Sequence, residues 1–248
     1  MNKDKRQLLL SVTTLVLCIL LLVGTTFAYF SDTKQITNTV TVGNIKIEMT
    51  EAAVKRDGAG NLVEDPTEDR VIGGDDTVHD YGVVYPGIEI YKDPTIRNTG
   101  TEDAWIAARI VVSDGQGDLQ NVIGFGGNAG IDIAVLLSGG LFDEESRFGV
   151  WNGIHGVRYN DRYAMVQTVD NVKQEYVFHI FLNQRFLPND QVVLFDRFAV
   201  PDDWNSEDMR ELIDLKIRVE AYGVQTFDLT SCFDAMTKAF PEQFLFEQ

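Results

Sequence analysis

Alternation at a period of two residues, renewed in segment after segment, constrains this chain more than any other feature of its sequence. It is cleanest through Ile213, Leu215, Ile217, Val219 and Ala221, where the intervening Asp214, Lys216, Arg218 and Glu220 are all charged. Successive side chains of a strand point to opposite faces, so such a segment packs on one side and is wetted on the other. Tyr176, Phe178, Ile180 and Leu182 repeat the pattern, and so do Ile106, Ala108, Ile110 and Val112, with Arg109 expected to face solvent. Val40 and Val42 alternate, the phase slips at Gly43-Asn44, and Ile45, Ile47 and Met49 resume it. A glycine at a phase slip reads as a β-bulge. Ile88-Ile90 leads toward Ile96, and Asn98-Thr99-Gly100-Thr101 turns the chain back, so this pair is expected to form a hairpin. With about eight strands and few helices, the expected fold is mostly β, an antiparallel two-sheet sandwich.

The N-terminus reads differently. Lys3, Lys5 and Arg6 form a basic start, Leu8 to Gly24 is uncharged and mostly apolar, and Thr26-Phe27-Ala28 has small residues at both ends. That order is a secretory signal peptide, cut after Ala28 to leave Tyr29 as the new N-terminus. The alternative is an uncleaved anchor, because the run together with Tyr29 and Phe30 is just long enough for a bilayer of about 30 Å. The domain plan is therefore a signal helix over 1–28, a β-sandwich over 29–225 and a C-terminal helical segment over 226–248. In that last segment the period changes: Cys232-Phe233, Met236 and Ala239-Phe240 recur at three and four residues, with Thr230 or Ser231 as cap and Pro241 as stop. Its apolar stripe is expected to pack on the sheet. A second short helix is expected from Ser206 to Glu211.

Charge narrows the partners. The chain carries 21 basic and 38 acidic residues, a net −17, which becomes −19 once the segment to Ala28 is removed. A surface this acidic repels phosphate backbones and anionic bilayers, so nucleic acid is excluded and membrane contact is left to the uncleaved signal. Cys18 lies in the signal, so Cys232 is the sole cysteine of the 220 residues that follow Ala28. No internal disulfide is then available, and Cys232 is expected to be a small buried hydrophobe, with an intermolecular cross-link as the alternative.

The middle of the chain is less legible. An acidic stretch rich in Gly, Asp and Asn between Glu51 and Tyr81 is expected to be a long loop. Ile131 to Leu137 is either a buried strand or a short helix. Trp151-Asn152-Gly153 is a turn before a strand near Tyr163 to Thr168, and Pro188-Asn189-Asp190 is another.

Chemistry finds little footing. A zinc hydrolase needs about three converging ligands, often within H-E-x-x-H. The three histidines, His79, His155 and His179, are far apart and no such motif occurs. There is no G-x-S-x-G elbow, and Gly124-Phe125-Gly126-Gly127 lacks the Lys-Ser/Thr of a phosphate loop. Asp57, Asn61, Glu64 and Asp65, or Asp75 and Asp76, could offer oxygens to calcium, but without the pattern of an EF-hand loop they read as a solvated acidic hairpin. The sequence therefore nominates no catalytic residue, no metal ligand and no cofactor.

Three blocks carry a resemblance. They are Tyr29-Phe30-Ser31-Asp32 followed by Val42-Gly43-Asn44-Ile45-Lys46-Ile47; Tyr85-Pro86-Gly87, Lys92-Asp93 and Asn98-Thr99-Gly100; and the strand from Leu215 to Tyr222. Together they resemble the TasA/camelysin family of Gram-positive bacteria, and residues 113–173 have no counterpart in that resemblance. It implies release by the dedicated signal peptidase SipW, a jelly-roll form of the sandwich, and a role as a secreted subunit of biofilm matrix fibres at the cell surface. The residues themselves suit assembly: the segment from Tyr29 to Thr41 lacks Pro and Gly and carries few charges. Added to another protomer's open sheet edge, with Ile36, Val40 and Val42 filling pockets, it would build a head-to-tail filament. The expected partners are then further copies of the chain or related matrix subunits, and the signal peptidase during export. The alternatives are a monomeric surface binding module using Trp151 and the glycine-rich middle, and a camelysin-like metalloprotease, since camelysin itself is described as one.

Overall fold

The computed structural model describes residues 45–73, 85–113, 123–124, 131–132, 137–143, 145–170, 173, 175–200, 202–203, 216–244 and 246. All of them belong to one compact unit, Ile36–Gln248. The cleavage residues Thr26, Ala28 and Tyr29 and the assembly residues Ile36, Val40 and Val42 lie outside the described residues. So do Gly43-Asn44, Asp75, Asp76, His79, the segment 206–211, Ile213 and Leu215.

The first strands are β1 (Ile47–Glu51), β2 (Val54–Arg56), β3 (Leu62–Glu64), β4 (Val71–Ile72), β5 (Glu89–Tyr91) and β6 (Thr95–Asn98). The middle contributes β7 (Ala104–Ser113), β8 (Ile123–Gly124), β9 (Ile131–Asp132), β10 (Leu137–Ser138), β11 (Arg147–Trp151) and β12 (Ile154–Tyr159). There follow β13 (Tyr163–Asp170), β14 (Glu175–Leu182), β15 (Gln191–Val193), β16 (Arg197–Ala199), β17 (Lys216–Gln225), and the helices α1 (Cys232–Ala239) and α2 (Pro241–Phe244). The fold is thus mostly β, as the alternation predicts, with mainly antiparallel sheets and with α1 where the period changes; Pro241, expected only as a stop, also opens the short α2.

The described strands form a six-stranded sheet in the order β11-β12-β13-β14-β7-β17, a five-stranded sheet β10-β16-β5-β3-β2, a four-stranded sheet β15-β6-β1-β4, and the pair β8-β9. The two smaller sheets share one ladder. Tyr91 faces Arg197 in one, and Thr95 faces Val193 in the other, at the same antiparallel register. Between them Lys92 N donates to Asp196 O at 3.1 Å and Leu194 N to Pro94 O at 3.0 Å, so the pairing continues through the joint. They act as one bent layer against the six-stranded sheet, and the largest apolar cluster fills the space between, with Ile47, Ile90, Ile96, Ile110, Phe178 and Phe195 among its members.

The other face of the six-stranded sheet is covered as well. Trp105, Ala107, Phe181 and Tyr222 pack there against Cys232, Ala235 and Met236 of α1 and Phe244 of α2. The helix starts where its sequence dictates: the Ser231 side chain accepts from Asp234 N, the usual N-cap bond. This cover explains why β7 and β14 are buried on both faces along most of their length.

Three expectations are corrected. Arg109 does not face solvent; it is half-buried and paired with Glu220, because the second face of β7 lies partly under the C-terminal cover. The strands on either side of Asn98 are not a hairpin: β6 pairs with β1 and β15, β7 pairs with β14 and β17, and the turn between them crosses from one layer to the other. The acidic stretch after Glu51 is not simply a loop, since β2 and β3 form a hairpin there and β4 returns to pair with β1. The turn expected at Trp151-Asn152-Gly153 is present, with φ of 48° and 81° at Asn152 and Gly153, the left-handed pair a tight two-residue turn needs; it joins β11 to β12, which precedes the expected strand β13.

Candidate functional site

The first described strand is held at both ends by the motif residues singled out in the sequence. At its start, the Lys46 carbonyl accepts from Thr99 N at 2.7 Å and Gly100 N at 3.0 Å. Asn98, completely buried, shapes that turn: its Oδ1 accepts from Gly100 N at 3.0 Å, and its Nδ2 donates to Glu102 O at 2.8 Å and Phe186 O at 3.0 Å. One amide thus satisfies the backbone of a turn that no strand ladder can reach.

The other end of β1 is gripped by Lys92 and Asp93. Lys92 Nζ lies 2.6 and 2.7 Å from the two carboxylate oxygens of Glu51. Asp93 Oδ1 accepts from Ala52 N at 2.7 Å, and its Oδ2 accepts from Arg70 Nη1 at 2.7 Å. Arg70 also donates to Thr95 Oγ1 at 2.9 Å and to Thr50 Oγ1 at 3.0 Å. A buried charge is tolerated when it is paired and its remaining lone pairs are satisfied, and Asp93, 4 % exposed, meets that condition. Tyr91 beside it is pushed up to about 12, first by burial and then by the Asp93 charge.

Gly87 of the Tyr85-Pro86-Gly87 block adopts φ 79°, and its N–H donates to Val200 O at 3.0 Å, starting the β5–β16 ladder. Ile45 and Ile47 lie directly over Gly223 of β17; a Cβ there would come within 2.8 Å of Ile47 Cγ2. The described chain therefore begins above β17, which is ten residues long and the last strand of its sheet. On its outer edge β17 has no partner strand among the described residues. An unpaired edge of that length offers a row of backbone donors and acceptors to another strand.

The residues expected for other chemistries do not converge. His155 is exposed on β12, while His179, 3 % exposed on β14, meets Thr168 Oγ1 at 2.8 Å and the rings of Phe244 and Phe246. Burial, with the Arg109 charge beside it, pushes His179 down to about 3, so it is neutral at ordinary pH. Cys232 is buried, its thiol donates to Ile106 O at 3.1 Å, and burial raises its pKa. Asp57 Oδ1 accepts from Ala59 N and Asn61 N, and Asp65 Oδ1 accepts from Thr67, so these oxygens close the hairpin's own turns. Among the described residues no group of three His, Cys, Asp or Glu is placed to hold a metal ion. Trp151 is half-buried, with its ring 5.3 Å from those of both Phe181 and Phe233, and is engaged in packing.

On that same second face, Glu220 accepts from Arg109 at 2.7 Å and from Tyr222 OH at 2.6 Å. Burial alone would raise its pKa; the Tyr222 hydrogen bond and the Arg109 charge hold it below the usual range. The alternation showed these side chains on one face, and the C-terminal helix expected to pack on the sheet covers the residues beside them.

Comparison with known proteins adds one finding. No curated protein and no solved structure matches the chain. A family model described as camelysin metallo-endopeptidase matches residues 3–56, from the basic start of the chain to the end of β2. That short N-terminal match supports the resemblance to the TasA/camelysin family.

Proposed function

We propose that this chain is a secreted subunit of an extracellular matrix fibre, joined to its neighbours by the segment that carries Ile36, Val40 and Val42. At family level the N-terminal match supports a secreted, matrix-type surface protein. The observation that carries the finer reading is the double anchorage of β1. Asn98-Thr99-Gly100 and Lys92-Asp93 fix the strand that follows the segment, beside an edge strand whose outer side has no described partner. A rigid base lowers the ordering cost of the residues it presents, and main-chain pairing along an open edge supplies the attraction. Because donor and acceptor surfaces differ, repetition gives an open filament rather than a closed ring.

The test compares the protein starting at Tyr29 with a truncation starting at Gly43, by light scattering and negative-stain microscopy. Filaments from the first and none from the second are expected. If both remain folded monomers, the segment is an ordinary part of its own domain and the reading fails. The endopeptidase named in the family description has its own test: casein cleavage by the purified protein, abolished by a chelator.

A further inference from the structure

The two helices of the C-terminal cover are held unequally. α1 is fixed: Ser231 caps it, Cys232, Ala235 and Met236 are buried, and the Cys232 thiol donates to Ile106 O of β7. α2 has four residues and opens on Pro241, which has no backbone N–H to share with α1. The helices meet at Phe240, whose φ of −132° and ψ of 60° lie outside the helical range. Gln243 N and Phe244 N both donate to Phe240 O, so these bonds of α2 close on its own first turn. Its grip on the sheet comes from rings. The Phe244 centroid lies 5.0 Å from that of Tyr222 and 5.4 Å from that of Phe181, and Phe246 lies 6.0 Å from Phe181.

Under those rings a polar row crosses the sheet. His179 on β14 stands opposite Arg109 on β7, and Arg109 stands opposite Glu220 on β17. The imidazole Nε2 lies 2.8 Å from Thr168 Oγ1 of β13, and the Phe246 and Phe244 rings lie 4.9 and 5.6 Å from the imidazole, edge to face. Two nitrogens of this row, His179 Nδ1 and Arg109 Nε, are buried without a hydrogen-bond partner. A neutral imidazole suits that place, because one of its ring nitrogens carries no proton. Protonation adds an N–H and a charge there, beside the Arg109 cation and rings that offer no oxygen. A ring face returns about 2 kcal/mol to a desolvated cation, against the several kcal/mol that an unsatisfied buried charge costs. Nearby carboxylates are engaged elsewhere: Glu220 with Arg109 and Arg218, Glu175 of β14 with Arg218, Asp170 of β13 with Lys173, and Asp234 of α1 with Lys238. Tyr222 donates to Glu220, and Glu242 of α2 is exposed. Arg109 is the charge that acts on the imidazole.

We propose that α2, with Phe244 and Phe246, is an acid-operated flap that swings about Phe240-Pro241 while α1 stays docked, and that His179 is the group that releases it. Swinging the flap out brings water to Nδ1 and lets the imidazole take its proton with ordinary affinity. The closed form binds that proton more weakly than the open one, so closure is strongest above pH 6.5 and weakens as pH falls. The open population then rises about tenfold for each pH unit below about 6, and about 30-fold between about pH 7.5 and about pH 5. Opening bares Phe181 and Tyr222 of the sheet, an aromatic strip that is offered only in acid.

The experiment is hydrogen exchange, read by mass spectrometry on the monomeric fraction of the protein starting at Tyr29, at about pH 7.5 and about pH 5. Each rate is divided by the intrinsic amide rate at the same pH, which leaves the protection due to structure. Protection at Gln243 and Phe244, the amides bonded to Phe240 O, is expected to fall about 30-fold in acid while α1 and β14 keep theirs. His179→Leu is expected to abolish that fall. His179→Gln, which can still bond Thr168 but does not titrate, does the same should the first variant fold poorly. Protection of α2 that ignores pH overturns the proposal, and so does an equal fall in the variants. A fall shared by α1 and β14 also overturns it, since the molecule then opens as a whole. Because monomers are measured, the outcome is separate from success or failure of strand addition.

Discussion

Asp93 accepts from Ala52 N, from Arg70 and from the Tyr91 hydroxyl beside β1. Replacing it with alanine leaves Ala52 N–H buried without an acceptor and Arg70 without its counter-charge. Asp93→Ala is expected to lower unfolding stability by about 3 kcal/mol, measured by urea denaturation. Lys92-Asp93 and Asn98-Thr99-Gly100 could be picked out of the sequence by their resemblance to a family pattern. Their work could not, because their partners are distant in the chain: Ala52 is 41 residues from Asp93, and Phe186 is 88 from Asn98. Spacing along the chain carries no information about such bonds. The same holds for His179, whose strand position was visible while the Phe244 and Phe246 rings over it were not.

Elements were legible where one physical pattern ran long enough to be unambiguous. β1, β14, β17 and α1 follow from period, and Ser231 from capping chemistry. The stretch after Glu51 misled because its short strands are rich in turn residues and charges, and they pair only with one another or with elements far along the chain. β7 misled in another way: alternation foretells one buried face, whereas a second cover arrives from α1. Gly223 marks a constraint between elements, since β1 crosses β17 so closely there that a methyl group would press on Ile47. Gly223→Ala is therefore expected to cost about 1–3 kcal/mol by forcing the two layers apart, and a thermal melt reads the loss. If the melt is unchanged, β1 can move away from the edge strand freely, and its role as a rigid base is lost with that freedom.

At the scale of the whole molecule, the fold has three layers, with the six-stranded sheet between the bent pair of smaller sheets and the C-terminal helices. This arrangement makes stability depend on pH through His179. Its pKa is about 3 in the fold against an ordinary value of 6.5, so the unfolded chain binds the proton more readily. The contribution is fully present above pH 6.5 and is lost as pH falls toward 3, on the order of 5 kcal/mol in total. Between pH 6.5 and about 5, where most carboxylates stay ionised, wild type is expected to lose stability while His179→Leu stays flat. Denaturation curves across that interval decide it; parallel slopes would mean that the imidazole takes up its proton without disturbing the cover. Cys232, at the first turn of α1 and 2 % exposed, gives this cover a further consequence. An alkylating reagent can meet the sulfur only in the moments when the helices lift, so the pace of alkylation becomes a clock for the breathing of one layer. Under oxidising conditions, the same geometry keeps the thiol out of mixed disulfides by timing, with no reductant required.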